Sequence, residues 1–482
     1  MQKIIGRANE INELRNIHNS GVPEFVVVYG RRRVGKTFLV REMFANDFAF
    51  YHTGLSPQDM DDANMMNSQL NNFSSSLRNY GEQCGLLKDW LSAFDKLRDL
   101  LVRKIEQAPG KRQVVFIDEL PWLDTPRSQF VSALEHFWNG WGAGIQQLML
   151  IVCGSATAWI SDKLLHNKGG LYNRKTREIK LNPFTLGEAE QFYQSRGILL
   201  NRYAQTQLYM MIGGIPYYMT YVEKGKSLEQ ITDSLFADRN GKLRDEIEQL
   251  FVSLFSNHEE CLKIIKLLSK RKTGYTRKEI SEATKIPYGG GLTKTLKALT
   301  ESDFICQYTY YGKPSKEERY RLVDFFTLYQ FSVVSNKKNP DSKDWKDRFG
   351  AKTMTAWYGT AFESLCWYHI DQIKRALGIP SVHTEEFSWR AEASETNKGA
   401  QIDLMIRRAD GIFNLCEMKF SIADFAFTKD DEAKMRNQIA TFQAITKCNE
   451  PIMPILVTTY GLSQNIYSNL IQAVVTMEEL FG

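Results

Sequence analysis

Long apolar runs, paired cysteines and a strong charge bias are all missing from this 482-residue sequence. No apolar stretch approaches the ~20 residues that span a bilayer, so no membrane partner is expected. The opening MQKIIGRANE lacks the apolar core of a secretory leader, and a cytoplasmic location is the expectation. Seven cysteines (84, 153, 261, 306, 366, 416 and 448) are scattered without a CxxC pair. That pattern argues against a zinc site and for free, mostly buried thiols. The net charge, 61 − 56 = +5, is too small to signify nucleic acid by itself, so the distribution of charge has to carry that question. What is present is an ordinary globular composition, 43% hydrophobic and 24% charged. The chain is too long for one core, and two to four domains are expected.

The stretch from Phe25 to Leu39, FVVVYGRRRVGKTFL, organises the N-terminal half. Phe25 to Tyr29 is β-branched and aromatic without polar alternation, the pattern of a parallel strand covered on both faces. From Gly30 the spacing is G-x-x-x-x-G-K-T, ahead of the helical run FLVREMFAN. This places the backbone N–H groups of Gly30, Arg31, Arg32, Arg33, Val34, Gly35, Lys36, Thr37 and Phe38 around a polyphosphate. It sends the Lys36 ammonium to the β- and γ-phosphates and gives the Thr37 hydroxyl to Mg²⁺. A second buried run, Val114 to Ile117, ends in Asp118-Glu119. Asp118 is the candidate second Mg²⁺ contact, and Glu119 the group that polarises an attacking water. Both acids together argue for ATP hydrolysis to ADP rather than for binding alone. A third run, QLMLIVC (147 to 153), leads to Gly154-Ser155.

Taken with this loop, the opening Ile5-Gly6-Arg7 and its amphipathic helix (Ile11, Leu14, Ile17) resemble the archaeal-type P-loop ATPases related to AAA+ and STAND proteins. The resemblance implies that the opening lies beside the adenine and that Ser155, at the tip of the strand next to the P-loop strand, senses the γ-phosphate. Ser at a strand-to-helix turn is equally explained by capping. Leu171-Tyr172-Asn173-Arg174 resembles the family's L-Y-G-R segment, with Asn where Gly is usual. Arg174 or Arg177 would then supply positive charge to this chain's or a neighbour's γ-phosphate, which leaves room for a homo-oligomer. Gly213-Gly214-Ile215-Pro216 resembles the G-G-x-P turn whose proline lies against the base, or is simply a helix-breaking turn in a helical lid. Between Thr53 and Gln107 the sequence reads as a helical crossover stopped by Pro109-Gly110, and TPRSQFVSALEHFWNGW (125 to 141) reads as a helix.

Between Lys263 and Lys297 there are ten Lys/Arg and two acids, the densest positive patch in the chain. The order CLKIIKLLSKR, TRKEISEAT, a turn Pro287 to Gly291, LTKTLKALTESD, then ICQYTYYG and RYRLVD predicts three helices and a two-stranded wing, a winged helix-turn-helix. Thr293, Lys294 and Lys297 fall on its recognition helix if it holds DNA. An interdomain adaptor is the other reading, because no base-reading Arg or Asn pair stands out. Ser335 to Asp347 is polar and reads as a linker.

Beyond it, Asp403 lies in AQIDLMIRR and Glu417 and Lys419 in NLCEMKF, joined through Ala409-Asp410-Gly411. A three-residue loop with Gly third suits a type I turn with a G1 bulge. That register pairs residues equidistant from Asp410, so Asp403 faces Glu417 with Cβ atoms roughly 5 Å apart. Lys419 shares their face, and Ile402, Leu404, Cys416 and Met418 form the buried one. Adjacent carboxylates raise each other's pKa unless a cation lies between them. D-x(13)-E-x-K on a hairpin resembles the PD-(D/E)xK restriction-endonuclease-like superfamily. Glu363, in AWYGTAFESLCWYHI, matches its first-helix acid, and Gln438, in DEAKMRNQIATFQAI, its post-hairpin glutamine. The resemblance implies that Glu363, Asp403 and Glu417 hold Mg²⁺ and that Lys419 orients or deprotonates the water attacking a DNA phosphodiester.

The expected fold is α/β and multidomain: a P-loop ATPase core with a parallel sheet (1–184), a helical lid (185–255), a winged helix-turn-helix (256–334), a linker (335–350) and an α/β nuclease-like domain (351–482). The function expected is a Mg-dependent ATP-hydrolysing switch that controls a metal-dependent DNase. The alternative is an ATP-dependent DNA-binding or scaffolding regulator whose nuclease-like domain is inactive.

Overall fold

The computed structural model describes residues 4–56, 64–166, 174–237, 241–313, 317–336, 352–393 and 398–482. Leu171 to Asn173 and the linker from 337 onwards lie outside them. The chain divides into two compact units. One comprises Met1–Pro183, Glu248–His258 and Leu296–Asp303; the other comprises Phe184–Ile247, Glu259–Thr295 and Phe304–Gly482. Among the described residues no helix is long and apolar enough to cross a membrane.

The first unit is built on five parallel strands, β1 (Glu24–Tyr29), β2 (Phe48–Thr53), β3 (Gln113–Asp118), β4 (Leu148–Gly154) and β5 (Arg177–Lys180), in the order β2-β3-β4-β1-β5. Every residue of β3 and β4 is buried, as the apolar runs 114–117 and 148–153 require of strands covered on both faces. The crossover helices Met65–Asn79 and Trp90–Gln107 cover one face through Phe73, Trp90, Phe94 and Leu97, which pack with Phe25, Phe50 and Phe130. Asp89 caps the second of them, accepting from Ser92 N–H at 2.7 Å. The helix predicted from Thr125 starts only at Phe130. Arg127 and Gln129 both have left-handed backbones (φ 61° and 56°), a conformation that residue preferences do not foretell and that blocks helix growth from Thr125.

In the second unit, helices His258–Leu268, Arg277–Thr284 and Gly290–Glu301 (the last running into the first unit) accompany a small antiparallel sheet. Its strands are β6 (Tyr275–Thr276), β7 (Ile305–Tyr308) and β8 (Arg319–Leu322), in the order β6-β8-β7. It has three strands rather than the expected two, and Gly290 and Gly291 belong to the third helix rather than to the turn before it. A mixed sheet follows, ordered β15-β13-β11-β10-β9, from β9 (Thr384–Ala391), β10 (Ala400–Arg408), β11 (Phe413–Lys419), β13 (Ile452–Thr458) and β15 (Ala473–Thr476). A two-stranded parallel pair, β12 (Phe425–Ala426) and β14 (Leu462–Ser463), lies outside it. β9, β10 and β11 run antiparallel, while β11, β13 and β15 run parallel. Phe442 and Met435 of helix Lys429–Thr446 close a core with Phe387, Trp389, Ile402, Met405 and Leu415.

Candidate functional site

Open parallel sheets bind ligands at the carboxyl ends of their strands. At that end β1 stops at Gly30, whose φ is +139° and where an added Cβ would lie 2.3 Å from the Leu181 carbonyl oxygen. Only glycine fits there. Arg33 (φ 74°) and Gly35 (φ 95°) continue the left-handed turn into helix Lys36–Phe44. A loop of this kind turns successive N–H groups into an anion-binding concavity at a helix N-terminus. The buried Lys36 ammonium donates to the carbonyls of Gly30 (2.9 Å) and Arg31 (3.0 Å), which hold it across the loop. Arg7, itself buried and left-handed, donates to the Val34 carbonyl at 3.2 Å. Its role as a brace for the loop was not among the sequence expectations, although the I-G-R opening marks the residue.

Thr37 Oγ1 donates to Asp118 Oδ2 at 2.8 Å, joining the loop to the end of β3. Burial, and next the charge of Glu119, push the Asp118 carboxyl up, while hydrogen bonds from Thr37, the Cys153 thiol and the Glu119 N–H work against that rise. A hydroxyl and a buried carboxylate with negative charge to spare fit a hard divalent cation such as Mg²⁺. Glu119 has a left-handed backbone (φ 48°), and its carboxylate accepts from Ser155 Oγ (2.8 Å) and Ser155 N–H (3.2 Å). Ser155 can reach it because β4 lies between β1 and β3. Lys36, Thr37, Asp118, Glu119 and Ser155 therefore share one end of the sheet, with Phe38 40% exposed on the following helix.

Arg174 and Arg177 do not join them. Arg177 pairs with Val26, three residues back from Tyr29↔Lys180 at the carboxyl end, roughly 10 Å along the strands. Arg174 precedes it, and both side chains are exposed. That register sets Arg177 away from the end of the sheet where this chain's own γ-phosphate would lie. Pro216 is the first residue of a short helix, Pro216–Met219, in the second unit.

The second candidate site lies on β10 and β11. Leu404↔Cys416 through Arg407↔Phe413 pair in the expected register, with Arg408 N–H donating to Ile412 O and Gly411 left-handed at φ 82°. The matched register ends at Leu404↔Cys416, one residue short of the expected Asp403–Glu417 pair. Ile402, Leu404, Cys416 and Met418 are all buried as expected, while a register shift between β9 and β10 at Ile402/Met405 accompanies the packing of Ile402 in one core with Met405 and Leu415. Bulges of this kind re-aim side chains beside functional sites.

The carboxylates have separate partners. Asp403 Oδ1 accepts from Gln401 (2.7 Å) and Oδ2 from Lys272 (3.2 Å); Lys272 also pairs with Glu363 on helix Lys352–Tyr368. Burial, and next Asp403, push Glu363 up to about 7, with Lys272 pulling the other way. Burial opposes charge on Lys272 too, but the two carboxylates outweigh it and hold the ammonium charged. Glu417 accepts from Lys434 (2.8 Å) and lies 3.1 Å from Lys419, which is 3.7 Å from Asp431. Among the described residues no three of His, Cys, Asp and Glu gather as metal ligands do. The expected trio of Glu363, Asp403 and Glu417 is thus divided between lysines. Gln438 is buried and donates to the Gln401 carbonyl at 2.7 Å, bracing β10 two residues from Asp403. Lys272, Lys434 and Trp367, whose indole donates to the Asp403 carbonyl (3.2 Å), were not anticipated.

Residues 4–222 match the family model described as an ATPase domain predominantly from Archaea. This part of the chain is an ATPase-type domain with a P-loop. An uncharacterised protein of Methanocaldococcus jannaschii is 25% identical over 337 residues, covering 68% of each chain. Among solved structures, the Walker-type ATPase of Pyrococcus abyssi matches with 15% identity over 68% of this chain and 96% of its own, at a TM-score of 0.47. The ORC2 protein of Aeropyrum pernix, in its ADPNP–ADP complexes, matches with 16% identity over 73% and 96%, at a TM-score of 0.42.

Proposed function

We propose that this protein binds ATP with Mg²⁺ at the Lys36 loop, hydrolyses it slowly, and uses the nucleotide as a switch on a metal-dependent, DNase-like site carried by residues 351–482. The observation that carries the ATPase reading is the Thr37–Asp118 hydrogen bond at the mouth of the loop, beside a Glu119 carboxylate already oriented by Ser155. Bound Mg²⁺ would neutralise charge on the β- and γ-phosphates, with Thr37 and Asp118 holding it. Lys36 supplies the fixed positive charge, Glu119 accepts a proton from water at its carboxylate, and Ser155 keeps that carboxylate aimed. Lys36→Ala should abolish nucleotide binding. Glu119→Gln should bind ATP yet turn it over roughly a hundredfold more slowly, the low end for losing a general base. Unchanged hydrolysis in Glu119→Gln would refute the role given to that residue.

Three helices with a small antiparallel sheet support a winged helix over 256–334, and DNA is its proposed partner. The hairpin register and the acids facing helix Lys352–Tyr368 support the nuclease-like reading of β9 to β15. A regulator with an inactive nuclease-like domain is favoured instead by one observation: Glu363 and Asp403 are paired with Lys272 and Glu417 with Lys434, so each acid has a lysine partner.

A further inference from the structure

We propose that Lys272 is a built-in cation that occupies the divalent-ion position between Glu363 and Asp403, so that this site admits a metal only when the Lys272 turn withdraws. The inference rests on reading those acids as a metal site and adds to it a means of closure. Lys272 lies 131 residues from Asp403 in sequence, on the turn between helix His258–Leu268 and β6. Its ammonium nevertheless enters a cavity of about 340 Å³ lined by Arg321, Trp357, Glu363, Trp367 and Asp403. There it contacts Glu363 Oε2 and Asp403 Oδ2, one oxygen from each acid.

The turn that delivers it is braced on both sides, which separates this contact from a wandering surface ion pair. Arg271 Nε donates to Gly274 O (2.7 Å), its guanidinium lies 3.6 Å from the Tyr275 ring centroid, and it pairs with Glu279 at 2.7 Å. The Thr273 carbonyl accepts from Tyr308 Oη (2.8 Å) and Arg319 Nε (3.0 Å). Gly274 is left-handed (φ 60°), and a Cβ there would lie 2.2 Å from the Tyr320 carbonyl. A turn held this closely by β7 and β8 moves with them. Arg321, stacked 5.3 Å from the Trp367 ring centroid, brings a second buried positive charge toward Asp403, so that the two cations together balance the two carboxylates. With Arg321 counted, the two carboxylates and the ammonium leave a net charge of about 0 for an incoming divalent ion, against about −1 once the ammonium is gone. At a few ångströms that difference changes affinity by roughly tenfold or more.

The test is Mn²⁺ binding to the nucleotide-free full chain, followed by the electron paramagnetic resonance of free Mn²⁺. Wild type, Lys272→Met, Lys272→Arg, Asp403→Asn and the Lys272→Met/Asp403→Asn double variant are compared. We expect Lys272→Met to gain a Mn²⁺ site at least tenfold tighter than any in wild type, absent from the double variant, while Lys272→Arg stays as weak as wild type. Asp403-dependent binding as tight in wild type as in Lys272→Met would overturn the closure and leave the metal site standing. No Asp403-dependent binding in any protein would overturn the metal site and the closure together. Acylation of lysines in folded wild type, read by mass spectrometry, avoids any dependence on how a variant folds. Mn²⁺ should increase labelling of Lys272, and labelling that Mn²⁺ leaves unchanged would overturn displacement of the ammonium.

Discussion

His369 belongs to neither candidate site, yet it shows how far burial alone can shift a residue's chemistry. Its Nε2 accepts from the Leu186 N–H and its Nδ1–H donates to the Leu365 carbonyl, both at 2.9 Å, so only the neutral ring satisfies both contacts. Burial lowers its pKa from 6.5 to about 4. The unfolded chain then binds the proton more readily than the folded one between those values, and stability falls as pH drops from 6.5 toward 4. The full shift corresponds to about 3 kcal/mol. Urea unfolding of wild type between pH 7.5 and 4.5 should show this slope, reduced in His369→Gln; equal slopes in the two proteins would exclude His369 as the source. Glu119 and Asp118 are adjacent in sequence and treated oppositely, one pointed at Ser155 and the other at Thr37, because the left-handed turn at Glu119 divides them.

At the scale of elements, the β1-to-helix junction depends on Gly30 more than on any side chain of the loop. Gly30→Ala would impose φ +139° on a residue with a Cβ and press it against Leu181 O. Strain and overpacking together should cost about 3 kcal/mol or more. Gly85→Ala, where a Cβ meets nothing within 4 Å, should change stability by less than ~0.5 kcal/mol. Denaturant unfolding of the two variants tests this, and similar losses in both would show that the close approach to Leu181 does not matter. The β10–β11 hairpin was legible at this scale because a three-residue loop ending in Gly411 admits one register. The break at Thr125 was not, because nothing in TPRSQ announces two left-handed residues.

For the whole molecule, the proposed switch predicts separable activities. Asp403→Ala should abolish cleavage of circular DNA with Mn²⁺ while ATP turnover stays near the wild-type rate. Lys36→Ala should alter cleavage without touching the acids. Cleavage that survives Asp403→Ala would remove the nuclease assignment, and cleavage indifferent to Lys36→Ala would remove the control by nucleotide. If neither wild type nor Lys272→Met cleaves, the regulator reading predicts salt-dependent DNA binding in EDTA, weakened in Lys294→Ala. Lys294 suits that test better than Lys297, which is already paired with Asp162 and Glu301.

By itself the sequence determined what depends on near neighbours: the strand-loop-helix from Phe25 to Phe44, the acids closing Gln113–Asp118, and the hairpin register about Asp410. In each, spacing along the chain and backbone geometry leave one solution. Only the tertiary structure decided which strands adjoin, and so that Ser155 meets Glu119 across β4 while Arg177 lies toward the other end of the sheet. It also decided that Lys272, one cation in a run of three, is the charge held between Glu363 and Asp403. Coulomb attraction selects by distance in space, and a lysine 131 residues away carries no mark of the carboxylates it will meet.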